Sequence, residues 1–423
     1  MKTKLVIFGI TGDLAKRKLL PALEQIVERK VFDDLEIVGV SRRNVSASDV
    51  VGHKLQSVTS VYCMDLANKD DYVGLADYLG SSENQQLVFY LSVPPLATAQ
   101  ITEFLGLAKI NGTNTKILFE KPFGVDYKSA KDMVEHAAKY YKESQIYRID
   151  HYLAKEMAQN IVAFRSGNAM FQYVWESGAI ERIDVIAVEK VGIEGRAKFY
   201  EQVGALRDLV QGHLMQLLSL TILTLPKRLN WDDLPKLRLE ALKSISSADP
   251  SLAVRGQYDS YQEEVKNFGS QTETFVSLVL KSRNVRWKNV PLRLTTGKAF
   301  DKKSTEVKVY FRSNSGEACN CLRFKIQPDE GLEIDLNTKK PGYELEFETQ
   351  KMLFSYPENT VLPDAYEQVI VDALNSRKSL FASSDEILES WRILQPLLDT
   401  WSMSKSEIMK YKKGSDYHAV VPK

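Results

Sequence analysis

Short apolar runs alternate with amphipathic stretches through the first 150 residues, and this alternation constrains the fold more than any other feature of the chain. Strands that read as continuous apolar runs are buried on both faces, and their alternation with helices indicates parallel βαβ units. The pattern therefore predicts a Rossmann-like, doubly wound α/β domain over residues 1–150. Its predicted strands are 5–9, 36–41, 60–65, 87–93, 116–120 and 145–149, and its helices lie near 14–30, 67–80, 96–110 and 126–142.

The pattern changes after residue 150, where strands follow one another without intervening helices. Period-two alternation with short turns is typical of an antiparallel sheet. We therefore predict a second, larger α+β domain over 151–423, with a mainly antiparallel sheet and helices, and with loop and short helix over 227–272. Its predicted strands are 273–281, 305–311, 319–327, 332–337 and 343–348, and its helices are 153–166, 203–225, 364–376 and 384–402.

Composition excludes several classes of partner. Lysine and arginine number 56 against 55 acidic residues, so no basic excess points to nucleic acid or to an anionic membrane surface. The three cysteines, Cys63, Cys319 and Cys321, form neither a disulfide framework nor a metal-binding set, which fits a reducing compartment. The N-terminus lacks the pattern of a signal peptide, and the apolar region 214–226 is too short to span a bilayer. We expect a cytoplasmic protein that needs no metal.

A glycine turn follows the first predicted strand, where Gly9, Gly12 and Ala15 are spaced by three. Such a turn lets the backbone approach a pyrophosphate, although a tight turn without ligand would have the same spacing. The second strand ends in Arg42 and Arg43 with no carboxylate, and an arginine at this place accommodates the 2′-phosphate of NADP. Solvated surface arginines are the alternative reading. The two arginines favour NADP, with NAD as the second choice.

Polar residues follow the fifth and sixth strands, at the edge of the sheet where this architecture binds ligands. Lys121 precedes Pro122, and Asp150 begins a run with His151, Tyr152 and Lys155 that offers donors to a phosphate. An ordinary surface lysine and a structural Asp–His pair are the alternatives.

His213 lies in an amphipathic helix pattern further along the chain. A histidine suits proton transfer near neutral pH, and a carboxylate such as Asp150 could fix its tautomer. A histidine buried for packing alone is the competing interpretation.

Five segments together resemble the glucose-6-phosphate dehydrogenase family, in the family's order from residue 5 to beyond residue 300. They are "FGITGDLAKRKLLPAL", "EKPFG", "YRIDHYLAKE", "VEKVGIEGRAKFYEQVGALRDLVQGHLMQ" and "VPLRLTTGKAFDKKSTEV". The run "DHYL" is the most specific of these, and the glycine turn is the least.

The resemblance implies oxidation of D-glucose 6-phosphate at C1 to 6-phosphogluconolactone, the first step of the pentose phosphate pathway, with hydride transfer to NADP. It implies that His213, held by Asp150, is the base, and that the Lys121–Pro122 peptide is cis. It also implies a homodimer or a dimer of dimers, formed through the sheet of the second domain. The implied substrate-binding residues are Lys121, His151, Tyr152, Lys155, Glu189, Asp208, Lys298 and Lys303, and the implied cofactor-binding residues are Gly9, Gly12, Asp13, Leu14, Arg42 and Lys121.

The sequence departs from the family pattern at Ala154, Glu201, Gly212 and Ser304, none of which is a proposed catalytic group. Two other functions compete with the implied one. A related sugar oxidoreductase would act on an unphosphorylated sugar or another hexose phosphate. A non-catalytic NADP sensor would have no need of a positioned base.

Overall fold

The computed structural model describes residues 2–81, 83–313, 318–357, 359–404 and 407–421. The chain divides into two compact units. The first comprises Met1–Ala154, Trp231–Pro235 and Pro363–Ile387, and the second comprises Lys155–Asn230, Lys236–Leu362 and Leu388–Lys423.

The strands form two sheets. In chain order they are β1 (Lys2–Phe8), β2 (Leu35–Ser41), β3 (Thr59–Cys63), β4 (Gln85–Leu91), β5 (Thr115–Phe119), β6 (Ile146–Ile149), β7 (Ile180–Val188), β8 (Ala253–Tyr258), β9 (Phe275–Leu280), β10 (Leu292–Gly297), β11 (Ser304–Phe311), β12 (Cys321–Gln327), β13 (Gly331–Lys339), β14 (Phe347–Ser355), β15 (Phe381–Ala382) and β16 (Met409–Tyr411).

The helices are of three kinds. The α-helices are α1 (Leu20–Glu28), α2 (Ala47–Val50), α3 (His53–Gln56), α4 (Asp71–Leu79), α5 (Pro95–Leu107), α6 (Tyr127–Ala138), α7 (Glu156–Gly167), α8 (Ala169–Gln172), α9 (Ala197–Ala205), α10 (Met215–Ile222), α11 (Leu234–Lys243), α12 (Tyr261–Val265), α13 (Ala365–Leu374) and α14 (Ser384–Met403). In the described part of the chain, two π-helices span Ala15–Leu19 and Leu206–Leu214, and short 3₁₀ turns span Glu143–Gln145, Trp231–Asp233, Pro250–Leu252, Val285–Trp287 and Tyr417–Ala419.

The first unit is built on a seven-stranded sheet with the order β15-β6-β5-β4-β1-β2-β3. Neighbouring strands are parallel except β15, which runs antiparallel to β6. This order is that of a doubly wound dinucleotide-binding fold, in which the chain reverses direction across the sheet between β1 and β4. Every residue of β4 and β5 is buried, as their continuous apolar runs predicted. The predicted fold class is confirmed.

A late segment of the chain completes the first unit, whereas the sequence analysis assigned every residue after 150 to the second domain. Residues of α13 share an apolar core with α1 and with the sheet, and Phe381 in β15 pairs with Ile149 in β6. The segment Pro363–Ile387 is therefore part of the dinucleotide-binding unit. The amphipathic pattern of α13 predicts a helix but carries no information on which sheet the helix covers.

The second unit is built on a nine-stranded sheet with the order β14-β13-β12-β11-β7-β10-β9-β8-β16. Neighbouring strands of this sheet are antiparallel except the pairs β7–β10 and β8–β16, which are parallel. The predicted strands appear as β9, β11, β12, β13 and β14, the last displaced to Phe347–Ser355. Four strands were not predicted, and the segment 227–272, interpreted as loop and short helix, contains α11, α12 and β8.

Candidate active site

The glycine turn after β1 brings the backbone of two strands close together. Gly9 has φ +79°, and a Cβ atom at this position would lie 2.3 Å from the carbonyl oxygen of Ser92, which follows β4. The Gly12 amide donates to the Gly9 carbonyl over 2.8 Å, and Lys16 N donates to Gly12 O over 3.1 Å at the start of the helical segment. Only glycine fits this conformation at position 9. The turn lies where β1 and β4 separate, which is where this fold binds a pyrophosphate.

Charged side chains flank the glycine turn. Asp13 is exposed and lies 3.4 Å from the guanidinium of Arg17, whereas Leu14 is partly buried against the apolar core. At the end of β2 the Arg42 side chain is exposed, and the Ser41 hydroxyl accepts a hydrogen bond from the Arg43 amide over 3.1 Å. The residues at the glycine turn and at the end of β2 fit a nicotinamide dinucleotide.

The end of β5 holds an acidic residue that the sequence analysis did not select. Glu120 accepts a hydrogen bond from the hydroxyl of Tyr90 in β4. Burial, together with the charge of Asp150, raises the pKa of Glu120 to about 7 against the lowering effects of Tyr90 and Lys121. The Lys121–Pro122 peptide that follows is cis, as the resemblance implies. Lys121 is thus held next to a carboxyl group that titrates near neutral pH.

The end of β6 carries Asp150, His151 and Tyr152. Asp150 is 2% exposed, and its Oδ1 accepts the Tyr152 amide over 3.0 Å. The His151 ring meets Tyr152 edge-on at 5.0 Å between centroids and stacks on Tyr366 of α13 at 6.1 Å. Tyr366 is a further site residue that sequence reasoning missed, because it lies more than 200 residues along the chain from its neighbours.

Three predicted substrate-binding residues meet in the second unit, and the sheet register explains why. Strands β7 and β10 are parallel neighbours whose last pair is Val188 and Gly297, so the next residues, Glu189 and Lys298, leave the sheet at the same edge. The buried Lys298 ammonium donates to Glu189 and lies 3.7 Å from a carboxylate oxygen of Asp208.

The Lys298 ammonium also lies 5.2 Å from the centroid of the Tyr200 ring, a residue that the sequence analysis did not select. Burial raises the pKa of the Tyr200 hydroxyl, and the charges of Asp208 and other nearby acidic groups raise it further. We call Glu189, Asp208, Lys298 and Tyr200 the Lys298 cluster.

Asp208 and His213 belong to one π-helix, Leu206–Leu214, where the sequence predicted an ordinary helix over 203–225. Because π-helical hydrogen bonds join residue i to residue i+5, these two residues are about one turn apart. Gly204, with φ +68° and ψ 175°, is a non-helical residue inside α9, two residues before the π-helix begins at Leu206. The buried Glu273 carboxylate accepts the Leu206 amide over 3.0 Å and so satisfies a donor at the start of the π-helix.

The remaining predicted residues occupy separate positions. The Lys155 carbonyl accepts the amides of Ala158 and Gln159 at the start of α7 over 3.0 and 3.1 Å. Lys303 is exposed directly before β11. His213 is 5% exposed. The pairing of His213 with Asp150 stays a prediction, since the two residues belong to different compact units.

Across the described ranges, none of the helices is both long and apolar enough to cross a membrane. Within those same ranges, no group of three or more histidine, cysteine and acidic residues could hold a metal ion.

Comparison with known proteins matches almost the whole chain to one family. The family model "Glucose-6-phosphate dehydrogenase, NAD binding domain" matches residues 6–160, and "Glucose-6-phosphate dehydrogenase, C-terminal domain" matches residues 162–419. The chain is 33% identical to a glucose-6-phosphate 1-dehydrogenase of Borreliella burgdorferi, over 97% of this chain and 94% of that protein. It is 34% identical to the enzyme of the same name from Chlamydia pneumoniae, over 97% and 92%.

Solved structures agree with this match. One is described as glucose-6-phosphate dehydrogenase in complex with its substrate glucose-6-phosphate, with a TM-score of 0.91 at 28% identity over 98% of this chain and 95% of that one. The glucose-6-phosphate 1-dehydrogenase of Mycobacterium avium gives a TM-score of 0.87 at 32% identity, over 98% and 94%. The predicted family is confirmed, and the chain belongs to the glucose-6-phosphate dehydrogenase family.

Proposed function

We propose that this protein oxidises D-glucose 6-phosphate at C1 to 6-phosphogluconolactone with NADP as the acceptor, the first step of the pentose phosphate pathway. The observation that carries the proposal is the Lys298 cluster, whose Asp208 shares one π-helix with the buried His213. Two carboxylates around a buried ammonium can hydrogen-bond sugar hydroxyls, and a histidine about one turn away can accept a proton. The family and the printed names of its relatives supply the substrate.

His213 is the proposed general base. Its imidazole takes the proton of the C1 hydroxyl as the hydride leaves C1, so that the oxygen can form the lactone carbonyl. Glu189, Asp208 and Lys298 hold the neighbouring hydroxyls and so fix the orientation of C1. The role of Asp150 in orienting the histidine stays a prediction.

The sugar phosphate is the anchor in this proposal. Because its second pKa is about 6, it is close to a dianion at neutral pH. His151, Tyr152, Lys155 and Lys303 are its proposed donors, with Lys121 assigned to a sugar hydroxyl and to the cofactor. Binding energy from the phosphate positions C1 without taking part in the reaction itself.

The cofactor is a nicotinamide dinucleotide, and we infer NADP in preference to NAD. Gly9 and Gly12 let the backbone approach the pyrophosphate, with Asp13 and Leu14 beside them, and the exposed Arg42 is the proposed partner of the 2′-phosphate. When bound, the nicotinamide supplies the acceptor for the C1 hydride.

We further propose that the protein is cytoplasmic and acts as a homodimer or a dimer of dimers, with no nucleic acid or membrane as partner. The three cysteines form no disulfide among the described residues, and Met352, Leu353 and Phe354 of β14 are 51–71% exposed. Such an apolar patch on an edge strand of the large sheet supports pairing between sheets of two copies.

His213→Asn tests the assignment of the base. The variant should lose about 10²- to 10⁴-fold in kcat while the KM for glucose 6-phosphate changes little, because the amide cannot accept the proton. Lys155→Ala is the companion variant, and excess free glucose should not restore its activity. Near-normal kcat for His213→Asn would place the base elsewhere, and equal turnover of glucose and its phosphate would contradict the proposed substrate.

A further inference from the structure

A buried arginine in the second unit has no carboxylate partner among the residues that the structure describes. Arg165 of α7 is 7% exposed, and its two terminal nitrogens donate to the carbonyls of Leu220 and Leu223 over 2.9 and 2.7 Å. Its Nε–H has no partner in the part of the chain that the structure describes. Burial, with the nearby charge of Arg286, lowers the pKa of Arg165 to about 9. A buried guanidinium is normally paired, so this position needs an explanation.

Arg165 lines a cavity of about 190 Å³ together with two other cations, Lys227 and Arg286. Ser166 and Gln172 add a hydroxyl and an amide to the lining. Among the described residues that line this cavity, which we call the Arg165 cavity, none is acidic. The volume is many times the roughly 10–15 Å³ that a cavity needs to hold one water.

Glu176 lies beside the cations of the Arg165 cavity but neutralises little of their charge. Glu176 lies 3.9 Å from Arg286, with both side chains well exposed to solvent. Exposed ion pairs of this length contribute about 0–1 kcal/mol. The carbonyls at the end of α10 partly compensate Arg165, but dipoles do not remove a full charge. The cavity therefore keeps a net positive potential.

One wall of the Arg165 cavity is held in place by packing. Trp175 is 2% exposed, its Nε1–H donates to the Thr221 carbonyl over 2.8 Å, and the Arg165 guanidinium lies 5.0 Å from its ring centroid. The guanidinium is thus fixed by two carbonyls and a ring before any ligand arrives. A ligand bound here would change the surroundings of a buried indole, which gives the site an optical signal.

We propose that the Arg165 cavity is a binding site for a compact, doubly charged oxyanion of the phosphate class, separate from the sugar-phosphate site. A guanidinium presents donors in a geometry that matches phosphate oxygens, and Lys227 and Arg286 add two charges at the same cavity. The competing interpretation is that Arg165 only caps the last carbonyls of α10 and that the cavity holds water.

The test is a titration with inorganic phosphate at constant ionic strength, followed by tryptophan fluorescence of the full chain. It is done with Lys155→Ala as the starting protein, so that the proposed sugar-phosphate site contributes less to the signal. Lys227→Gln combined with Arg286→Gln removes two cations of the cavity. Lys281→Gln combined with Lys288→Gln removes two exposed lysines of the same unit that do not line it, and is the matched control.

We expect a saturable signal whose dissociation constant rises about tenfold or more in the cavity variant and stays within about twofold in the control. Trp175→Phe should abolish the signal without abolishing phosphate protection against thermal unfolding. If the double variant does not fold, Lys227→Gln alone, at an exposed position, should still weaken binding. Repeating the titration with glycerol 2-phosphate shows whether the cavity binds a phosphate ester as well as free phosphate.

Two results would overturn the proposal. One is an equal dissociation constant in the cavity variant and in its starting protein. The other is that potassium chloride, at the same ionic strength, changes the tryptophan fluorescence of the starting protein as much as phosphate does. Both results leave the proposed dehydrogenase activity untouched, since Lys227 and Arg286 belong to no part of the candidate active site.

Discussion

Replacing Gly204 with alanine tests whether the π-helix that carries Asp208 and His213 depends on this one glycine. The backbone at Gly204, with φ +68° and ψ 175°, lies in a region that is essentially open to glycine alone. Placing another residue there costs about 1–3 kcal/mol. A Cβ atom would also lie 2.5 Å from Oε1 of Glu273, the oxygen that accepts the Leu206 amide. Displacing that carboxylate leaves buried polar groups unpaired, at a further cost of about 1–3 kcal/mol.

We therefore expect Gly204→Ala to lower the free energy of unfolding, measured in urea, by about 2–6 kcal/mol. Gly178→Ala is the control, because its Cβ would have nothing within 4 Å and its φ is not positive. Gly178→Ala should change the free energy of unfolding by no more than about 0.5 kcal/mol. The Gly204 substitution should cost less in a Glu273→Ala background, since the colliding carboxylate is gone. A loss no larger than that of Gly178→Ala would refute this account of the turn.

Three further predictions concern charge. Lys298→Met should lower the free energy of unfolding by about 1.5–3 kcal/mol, because it leaves the partly exposed Glu189 and Asp208 without their cation, and a urea melt showing less than about 1 kcal/mol would contradict this. Glu120 has a folded pKa of about 7 against an ordinary 4.5, so its contribution to stability is complete below pH 4.5 and is lost as the pH rises through about 7. As the pH rises through that range, the melting temperature of Glu120→Gln should fall less than that of the wild type. An equal fall in both proteins would count against the raised pKa. Arg42→Ala should reduce kcat/KM for NADP by about tenfold or more and leave NAD nearly unchanged, whereas equal losses with both cofactors would remove Arg42 from the 2′-phosphate site.

The first unit could be predicted from the sequence because its strands are buried on both faces. Continuous apolar runs and intervening amphipathic helices are local signals, and they fix both the strands and the edge at which Lys121 and Asp150 emerge. The strand β15 and the helix α13 show the limit of such signals. The strand β15 joins the first sheet, and α13 packs in its core, through partners more than 200 residues away, which no local pattern records.

The second unit was less predictable because charges interrupt its strands. In β7, Arg182 and Asp184 break the apolar pattern, and the structure pairs their side chains over 3.4 Å. The sequence of β10 includes two threonines that are buried in the sheet. The parallel pairing of β7 with β10, which sets Glu189 beside Lys298, therefore had no signature in the sequence.

The candidate site likewise contains residues that the sequence could identify and residues that it could not. Residues in distinctive runs, such as Asp150 and His151, could be selected from the sequence alone. Tyr90, Tyr366 and Glu273 could not, because each becomes part of the site only through a contact made by folding. The π-helix was also hidden, since an α-helix of the same residues would have the same apolar pattern.

The most direct test of the central claim is reduction of the nicotinamide with glucose 6-phosphate as substrate, using NADP and NAD in parallel at matched concentrations. The account predicts turnover that requires the sugar phosphate and favours NADP. Free glucose should not replace the substrate at any concentration. Turnover that favours NAD would keep the enzyme but contradict the role of Arg42, and absence of turnover with either cofactor would contradict the proposed function.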